Sequence, residues 1–172
     1  MIIESLLNDK LLKSKEKTEF LSKLLLENQL TVNELVRFAG SSKDPVKATC
    51  IEALEFATIS NPGIATKECF DFVITALTEK APRVKWESAR VIGNIAHLFP
   101  KHLEKAIVNL LINTENPGTV VRWSAAIALG QILKLKSSNN AELIPAVEAL
   151  IEREEKNSIR KIYLDALKKI KK

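Results

Sequence analysis

Residues 84–93 read VKWESARVIG, and residues 121–130 read VRWSAAIALG. The two stretches match in their charged, aromatic, small and apolar positions. Weaker copies begin at Val46 and Ile159, so that the four copies start 38, 37 and 38 residues apart. A fixed period of this length is typical of helical solenoids, in which each repeat is one supersecondary unit. The sequence therefore predicts a repeat array rather than a single globule.

The composition is that of a helical protein. Of the 172 residues, 46% are hydrophobic and 27% are charged, with only 5 glycines and 6 prolines, which differs from the composition of a disordered chain. Aromatic residues make up only 5%. Leu, Ile, Val and Ala must therefore fill most of the core, which suits helix pairs that stack at close range.

The sequence contains no secretion or membrane signal. Glu4 and Asp9 interrupt the apolar start of the chain, and no apolar run approaches the roughly 18 residues that a membrane span needs. Cys50 and Cys69 do not form a CxxC pair, and we interpret both as buried small hydrophobes in a reducing compartment. We therefore expect a cytoplasmic protein without membrane contact.

The net charge of +5 is concentrated at one end of the chain. Residues 152–172 contain eight basic and four acidic residues, and the remainder is almost neutral. A protein that follows a phosphate backbone along its groove needs positive charge along the whole array. The charge pattern therefore does not favour nucleic-acid binding.

The apolar pattern divides a single domain, residues 1–172, into a cap and four units. Residues 1–30 lack the repeat signature but keep helical spacing, which predicts cap helices over residues 2–12 and 15–28. Terminal units of a solenoid are atypical because one face meets water. The predicted units cover residues 31–60, 61–99, 100–136 and 137–172.

Each unit is predicted to contain a shorter helix A, a turn and a longer helix B. Pro45, Pro82 and Pro117 are predicted in the first turns of the first three B helices, where a missing N–H costs nothing. Asn157 takes this place in the last unit, and Pro145 is expected to bend the last A helix. The A helices are predicted over residues 31–39, 65–79, 101–113 and 140–153.

One stripe of each B helix carries small and branched residues at helical spacing. Small residues in the middle of the stripe let neighbouring helices approach closely. Gly93 and Gly130 occupy one repeat position, and each costs about 1 kcal/mol against Ala in mid-helix, so that a close backbone approach is the expected reason for both. Gly40 is predicted to be the left-handed residue that ends the first A helix. In the second unit the stripe is Val84, Glu87, Ser88, Val91 and Ile92.

The repeated pattern of proline turn, Val, Lys or Arg, small-residue stripe and Gly resembles HEAT repeats. It is similar to the HEAT-like type found in bacterial and archaeal proteins and in phycobilisome lyases, and the resemblance covers residues 31–172. It implies an all-α right-handed superhelix of about four helix pairs behind an N-terminal helical cap, with the B helices on the concave face. It does not specify a function, because the family contains scaffolds, transport factors, chromophore lyases, DNA glycosylases and a metal-dependent hydroxylase.

Trp86 and Trp123 are the centre of the candidate binding site. They lie about 200° around the helix from the first residue of the stripe and so point away from it. If the B helices line the concave face, the two indoles can be neighbours on it, and tryptophan and arginine are favoured interface anchors. The alternative is that each indole packs between successive units. The candidate binding residues are Trp86, Arg90, Asn94, Trp123, Ile127 and Gln131.

Basic residues recur at one other repeat position. They can form a ladder that binds an acidic ligand, or, as the resemblance implies, they can tie neighbouring turns together, which we favour. The ladder consists of Lys47, Lys85, Arg122 and Arg160. Acidic pairs on the helices are predicted to be solvated. These pairs are Glu52/Glu55 and Glu154/Glu155.

No catalytic site is predicted. His97 and His102 are the only histidines, and neither precedes glutamate, so that the paired His-Glu motifs of the HEAT-type di-iron hydroxylase are missing. The sequence also contains no glycine-rich phosphate loop and no nucleophile elbow. We therefore expect no metal, no cofactor and no enzymatic activity.

The sequence favours a monomeric scaffold or adaptor that binds a protein partner on its concave face. The first alternative is a nucleic-acid-binding protein or a base-excision enzyme, since HEAT-like DNA glycosylases use concave-face tryptophans with a nearby aspartate. Here the residues one turn after the tryptophans are Arg90 and Ile127. The second alternative is a lyase-type subunit that holds an apolar ligand between the two indoles.

Overall fold

The computed structural model describes residues 2–171, and all regular secondary structure in that range is helical. It contains ten α-helices and two single turns of 3₁₀ helix, Pro62–Ile64 and Ala96–Leu98. The prediction of an all-α chain is confirmed. The helices are α1 (Ile2–Asn8), α2 (Ser14–Leu26), α3 (Val32–Gly40), α4 (Asp44–Ser60), α5 (Lys67–Ala76), α6 (Pro82–Ile95), α7 (Glu104–Asn113), α8 (Thr119–Lys134), α9 (Asn140–Arg153) and α10 (Asn157–Ile170).

Local side-chain hydrogen bonds make two helices shorter than predicted. The first cap helix ends at Asn8 rather than at residue 12, and the Asp9 carboxylate accepts a hydrogen bond from the Leu11 N–H at 2.8 Å. Such a turn competes with the helix for the backbone. Helix α5 begins at Lys67, because Thr66 is its N-cap and accepts from the Cys69 N–H at 3.1 Å.

The prolines mark two of the three B-helix starts as predicted. Pro45 lies in the first turn of α4, and Pro82 begins α6. The prediction for Pro117 was wrong, since α8 begins at Thr119 and has Gly118 as its N-cap. The Asn116 side chain accepts from the Gly118 N–H at 2.8 Å, and this turn holds Pro117 outside the helix. Helix α9 runs unbroken through Pro145.

The left-handed residues at helix ends are not glycines. Gly40 is the last residue of α3, and no glycine within residues 2–171 has a positive φ, so that the prediction for Gly40 was wrong. The Ser42 hydroxyl donates to the Phe38 carbonyl at 2.7 Å, which satisfies this helix end without a left-handed residue. The residues with positive φ in the described range are Asn28 (58°), after α2, and Lys136 (52°), after α8.

The helices form two layers. The B helices α4, α6, α8 and α10 pack side by side, and α2 extends this row at its N-terminal end. The A helices α3, α5, α7 and α9 lie against the B helices and contact one another much less. The stripe residues Val84, Ile92 and Leu129 are fully buried in this arrangement. The chain is therefore an all-α repeat solenoid with one continuous core.

Gly93 and Gly130 lie where successive B helices approach each other. A Cβ atom on Gly93 would lie 3.5 Å from Ala128 Cα, and one on Gly130 would lie 3.5 Å from Ala166 Cβ. These distances are ordinary van der Waals contacts. A methyl group therefore fits at both positions, whereas a larger side chain does not.

Gly130→Ala is expected to raise the free energy of unfolding by about 0.5–1 kcal/mol, because alanine favours the helix and the space accepts its methyl group. Gly130→Leu is expected to lower it by about 2–3 kcal/mol, because the side chain would push α8 and α10 apart. Urea unfolding measures both variants. A Gly130→Ala variant less stable than the wild type would contradict this spacing.

Candidate functional site

Trp86 and Trp123 occupy equivalent positions on α6 and α8, and both side chains are half-buried. The Trp86 Nε1–H donates to Glu87 Oε1 at 3.0 Å. The Trp123 indole packs against the core, and the Arg90 guanidinium lies over its ring, 5.2 Å from the centroid. Each indole is thus partly packed within the array and partly open to solvent. This position is intermediate between an exposed binding patch and packing between successive units.

Arg90 connects three neighbouring B helices. It belongs to α6, its Nε lies 2.6 Å from Glu55 Oε1 on α4, and its guanidinium faces Trp123 on α8. A cation over an indole contributes about 0.5–2 kcal/mol, and the ion pair further restricts the side chain. Arg90 is therefore held in place rather than free in solvent.

Two carboxyl groups meet between α4 and α6. Glu55 is only 9% exposed and Glu87 only 7%. Glu87 Oε2 has no hydrogen-bond donor among residues 2–171. Burial raises the pKa of Glu87 to about 8, together with the hydrogen bond to Glu55 and the charge of that residue. Glu87 is therefore mostly protonated at neutral pH.

A groove of about 530 Å³ crosses the B helices beside this cluster, and we call it the B-helix groove. Four of the six predicted binding residues line it, namely Arg90, Asn94, Ile127 and Gln131. Trp86 and Trp123 are not among the residues that line it. The complete lining is Glu55, Phe56, Ile59, Arg90, Gly93, Asn94, His97, Ile127 and Gln131.

The two predicted amide side chains differ in their freedom. Asn94 Nδ2 donates to the Glu55 carbonyl at 3.2 Å and to Thr58 Oγ1 at 3.1 Å, so that its NH₂ group is used to fasten α6 to α4. Gln131 lies at the equivalent position on α8, and its side chain is exposed. Gln131 can therefore offer both its donor and its acceptor to a ligand.

A second groove of about 490 Å³ lies between α2 and α4, and we call it the α2–α4 groove. Phe56 and Ile59 line both grooves, so that the two adjoin each other. Ile59 is 69% exposed, an unusual position for a large aliphatic side chain. The α2–α4 groove is completed by Glu19, Ser22, Lys23, Leu26, Glu27 and Ser60.

Sequence reasoning missed Phe56 and Ile59, and it was wrong about Glu55. Phe56 lies one period before Asn94 and could have been found by extending the repeat alignment into α4. Glu55 was predicted to be solvated, but it occupies the repeat position of Gly93 and Gly130, where B helices approach closely. A carboxyl group at that position is necessarily buried between two helices.

The first two residues of the predicted basic ladder reach the next unit. Lys47 Nζ lies 2.8 Å from Glu79 Oε1, beyond the end of α5. Lys85 Nζ donates to the Leu77 carbonyl at 3.1 Å and to Asn113 Oδ1, the last residue of α7, at 3.3 Å. Both side chains thereby connect a B helix to the end of an A helix.

The last two residues of the ladder differ from each other. Arg122 makes a two-pronged contact with Glu154, with Nε at 3.0 Å and a second nitrogen at 3.3 Å. The pair is mostly buried, so that the prediction of a solvated Glu154 was wrong. Arg160 lies on the last helix, and its Nε is buried with no partner among the described residues.

The described residues contain no arrangement suited to metal chemistry. His97 and His102 are exposed, and within residues 2–171 no three metal-binding side chains cluster. Cys50 and Cys69 are buried and unpaired, and burial raises the pKa of each thiol to about 12, so that neither is a ready nucleophile. Over the same range, every helix is too short or too polar to span a bilayer.

Another exposed apolar surface lies in the A layer. Val108 and Ile112 on α7 are 56% and 63% exposed, and they follow each other by one helical turn. A groove of about 460 Å³ separates α7 from α9 beside them. None of the predicted binding residues lies on this surface. It therefore provides positions for control variants when the B-helix groove is tested.

Designed repeat proteins are among the solved structures with the same architecture, whereas no family model and no curated protein matches the sequence. A computationally designed armadillo repeat protein for modular peptide recognition superposes with a TM-score of 0.74 at 16% identity, over 97% of this chain and 80% of that one. The chain has an armadillo-like helical repeat fold. This repeat array is similar also to an engineered protein from a structural genomics programme, with a TM-score of 0.71 at 19% identity, over 98% of this chain and 77% of the other.

A third similar structure was solved with a bound ligand. It is a designed armadillo repeat protein in complex with the peptide (KR)4, with a TM-score of 0.52 at 15% identity and 97% coverage of both chains. At such low identity, these similarities establish only the fold of the repeat array. The roles of individual residues must be inferred from their own geometry.

Truncating the two tryptophans is expected to have unequal effects on stability. Trp123→Ala should lower the free energy of unfolding by about 2–3 kcal/mol, because the ring packs against the core. Trp86→Ala should cost about 1–2 kcal/mol, since this indole loses one hydrogen bond and partial burial. Urea unfolding of the two single variants tests this order, and equal losses above about 4 kcal/mol would mean that both indoles are fully buried packing elements.

Proposed function

We propose that this chain is a non-catalytic interaction scaffold that binds a peptide segment of a protein partner on its B-helix face. The observation that carries the proposal is the pair of adjoining grooves that share Phe56 and the exposed Ile59. Exposed apolar grooves edged by polar groups are typical of binding surfaces. Gln131 and Arg90 supply polar contacts at one end.

The dimensions of the two grooves suit an extended chain. They cross four neighbouring helices, α2, α4, α6 and α8. Packed helices lie about 8–10 Å apart, so that the crossing spans roughly 25–30 Å. An extended peptide rises about 3.3 Å per residue and would fill this length with about eight or nine residues.

The packing of the layers supports a concave position for these grooves. The B helices pack closely on one another, and the A helices contact one another much less. A row with the closer packing lies on the inner side of a curved array. We infer that Trp86, Trp123 and the B-helix groove lie on that inner side, where a ligand meets several helices at once.

The similar designed proteins support a peptide as the ligand. One was designed for modular peptide recognition, and another holds the peptide (KR)4. We carry over the class of ligand and not its sequence, because the charges on this face balance. Arg83 pairs with Glu52 at 2.5 Å, Arg90 pairs with Glu55, and Glu87 is mostly neutral.

Nucleic-acid binding has less support. Two basic side chains of the B helices, Arg83 and Arg122, are already engaged in ion pairs. Binding to a nucleic-acid backbone requires free cations along the groove that replace the counterions condensed on the phosphates. No observation favours a lyase-type ligand between the indoles, because Arg90 covers the ring of Trp123.

The remaining sequence predictions are part of the proposal. We propose HEAT-like units over residues 31–60, 61–99, 100–136 and 137–172, in a cytoplasmic monomer. The ladder contacts of Lys47 and Arg122 with the following unit support these units. The free buried thiols of Cys50 and Cys69 agree with a reducing compartment.

The proposed function is tested by two variants that add the same charge to the two layers. Ile59→Asp places a carboxylate where the B-helix groove and the α2–α4 groove meet, and Val108→Asp places one on α7. Neither is expected to change the melting temperature by more than a few degrees, because both side chains are largely exposed. In a pull-down from native lysate, we expect Ile59→Asp to lose a partner that the wild-type chain captures and Val108→Asp to keep it. The reverse result would transfer the binding surface to the A layer.

A further inference from the structure

A continuous chain of contacts links the two tryptophans across three helices. The Trp86 indole donates to Glu87, the Glu87 carboxyl faces that of Glu55, Glu55 pairs with Arg90, and Arg90 covers Trp123. The two residues of this chain of contacts that carry carboxyl groups, Glu55 and Glu87, are only 9% and 7% exposed. A change of charge at the centre of this chain therefore reaches both indoles.

The geometry of Glu87 calls for a proton between the two carboxyl groups. Its Oε1 accepts the Trp86 N–H, while its Oε2 is buried and meets no donor among residues 2–171. Two buried carboxylates side by side would repel each other, whereas one proton shared between them supplies the missing donor. Glu55 is already paired with Arg90, which places the proton on Glu87.

The charges around Glu87 come from α4 and α6. Glu55 on α4 opposes its ionisation, and Arg83 on α6 favours it. Arg83 is itself held by Glu52 at 2.5 Å, and Arg90 is held by Glu55. The side chains that shift the pKa of Glu87 are thus Glu55 on α4 and Trp86 and Arg83 on α6.

We propose that Glu55 and Glu87 share one proton at neutral pH and that its loss moves Arg90 and thereby regulates the B-helix groove. Once the proton leaves, two buried carboxylates need a cation, and Arg90 is the guanidinium already in contact with one of them. The Arg90 guanidinium then moves between the two carboxylates and leaves the Trp123 ring. Arg90 therefore no longer forms the same part of the wall of the B-helix groove. The effect on a partner rests on the proposed function, whereas the shared proton does not.

The shared proton is tested by tryptophan fluorescence. In a Trp123→Phe variant Trp86 is the only indole, and its emission should change in one step with a midpoint near pH 8. Glu87→Gln keeps the shape without the titration and should abolish the step. Glu55→Gln removes the opposing charge and should move the midpoint to lower pH. Glu115→Gln, in an exposed ion pair far along the chain, should leave it unchanged.

An emission that stays constant between pH 6 and pH 10, or a step that survives Glu87→Gln, would overturn the shared proton. The regulatory part is tested with the captured partner. Its affinity for the wild type should change about threefold or more between pH 7 and pH 9, and this change should disappear in Glu87→Gln. If the fluorescence step occurs but the two proteins keep the same pH dependence of affinity, regulation is overturned and the shared proton stands.

Discussion

Deletion of residues 139–172 is expected to yield a protein that aggregates or unfolds without a cooperative transition. Helix α10 covers the side of α8 that carries Gly130, and Ala166 Cβ lies 3.5 Å from the point that a Cβ atom on that glycine would occupy. In a repeat array each unit buries its stripe only against its neighbours, so that removing α9 and α10 opens the core of the third unit. Size-exclusion chromatography and urea unfolding measure the result. A soluble truncated chain that unfolds as cooperatively as the full one would contradict the stacking.

Arg122→Ala is expected to lower the free energy of unfolding by about 2–4 kcal/mol, because it leaves a buried carboxylate without its partner. The side chains of Arg122 and Glu154 are only 17% and 8% exposed. Arg153→Ala is the matched control. Arg153 pairs with Glu115 at 2.5 Å, but the two side chains are 54% and 60% exposed, so that its removal should cost less than about 1 kcal/mol.

The ion pair of Arg122 with Glu154 also makes the stability of the protein depend on pH. Burial raises the pKa of Glu154, but hydrogen bonds from Arg122 and from the Lys156 backbone outweigh burial and hold the pKa below its usual value of 4.5. A lowered folded-state pKa contributes stability above the unfolded-state pKa, and this stability is lost as the pH falls through the folded-state value. Urea unfolding near pH 7 and near pH 3 should therefore show a smaller acid loss in Arg122→Ala than in the wild type. Equal losses, or a cost no larger than that of Arg153→Ala, would contradict the buried pair.

The sequence specifies the fold through the repeat itself. Because each unit packs on a near copy, the same stripe must recur at the same spacing, and the match of Trp86 with Trp123 revealed the period. Two deviations at helix ends arose from local hydrogen bonds. The side chains of Asp9 and Asn116 bind backbone N–H groups two residues later, and these turns shift helix ends in a way that apolar periodicity does not report.

The candidate site could be predicted only in part. Helical geometry placed Arg90, Gln131 and both indoles on the B helices, since angles around one helix follow from spacing alone. The burial of Glu55 depends on how closely α6 approaches α4, which is a property of the packed pair of helices. The repeat alignment already indicated this burial, because it places Glu55 at the position of Gly93 and Gly130. The raised pKa of Glu87 follows from its contact with the buried Glu55.

The central claim is that the B-helix groove is the binding surface, and the most direct test is a backbone amide chemical-shift titration of the isotope-labelled chain with the captured partner. We expect the largest shifts at Ile59, Arg90, Asn94 and Gln131, around the B-helix groove, with Val108 unchanged. Shifts centred on Val108 and Ile112 of α7, with residues of α4, α6 and α8 unaffected, would contradict the account.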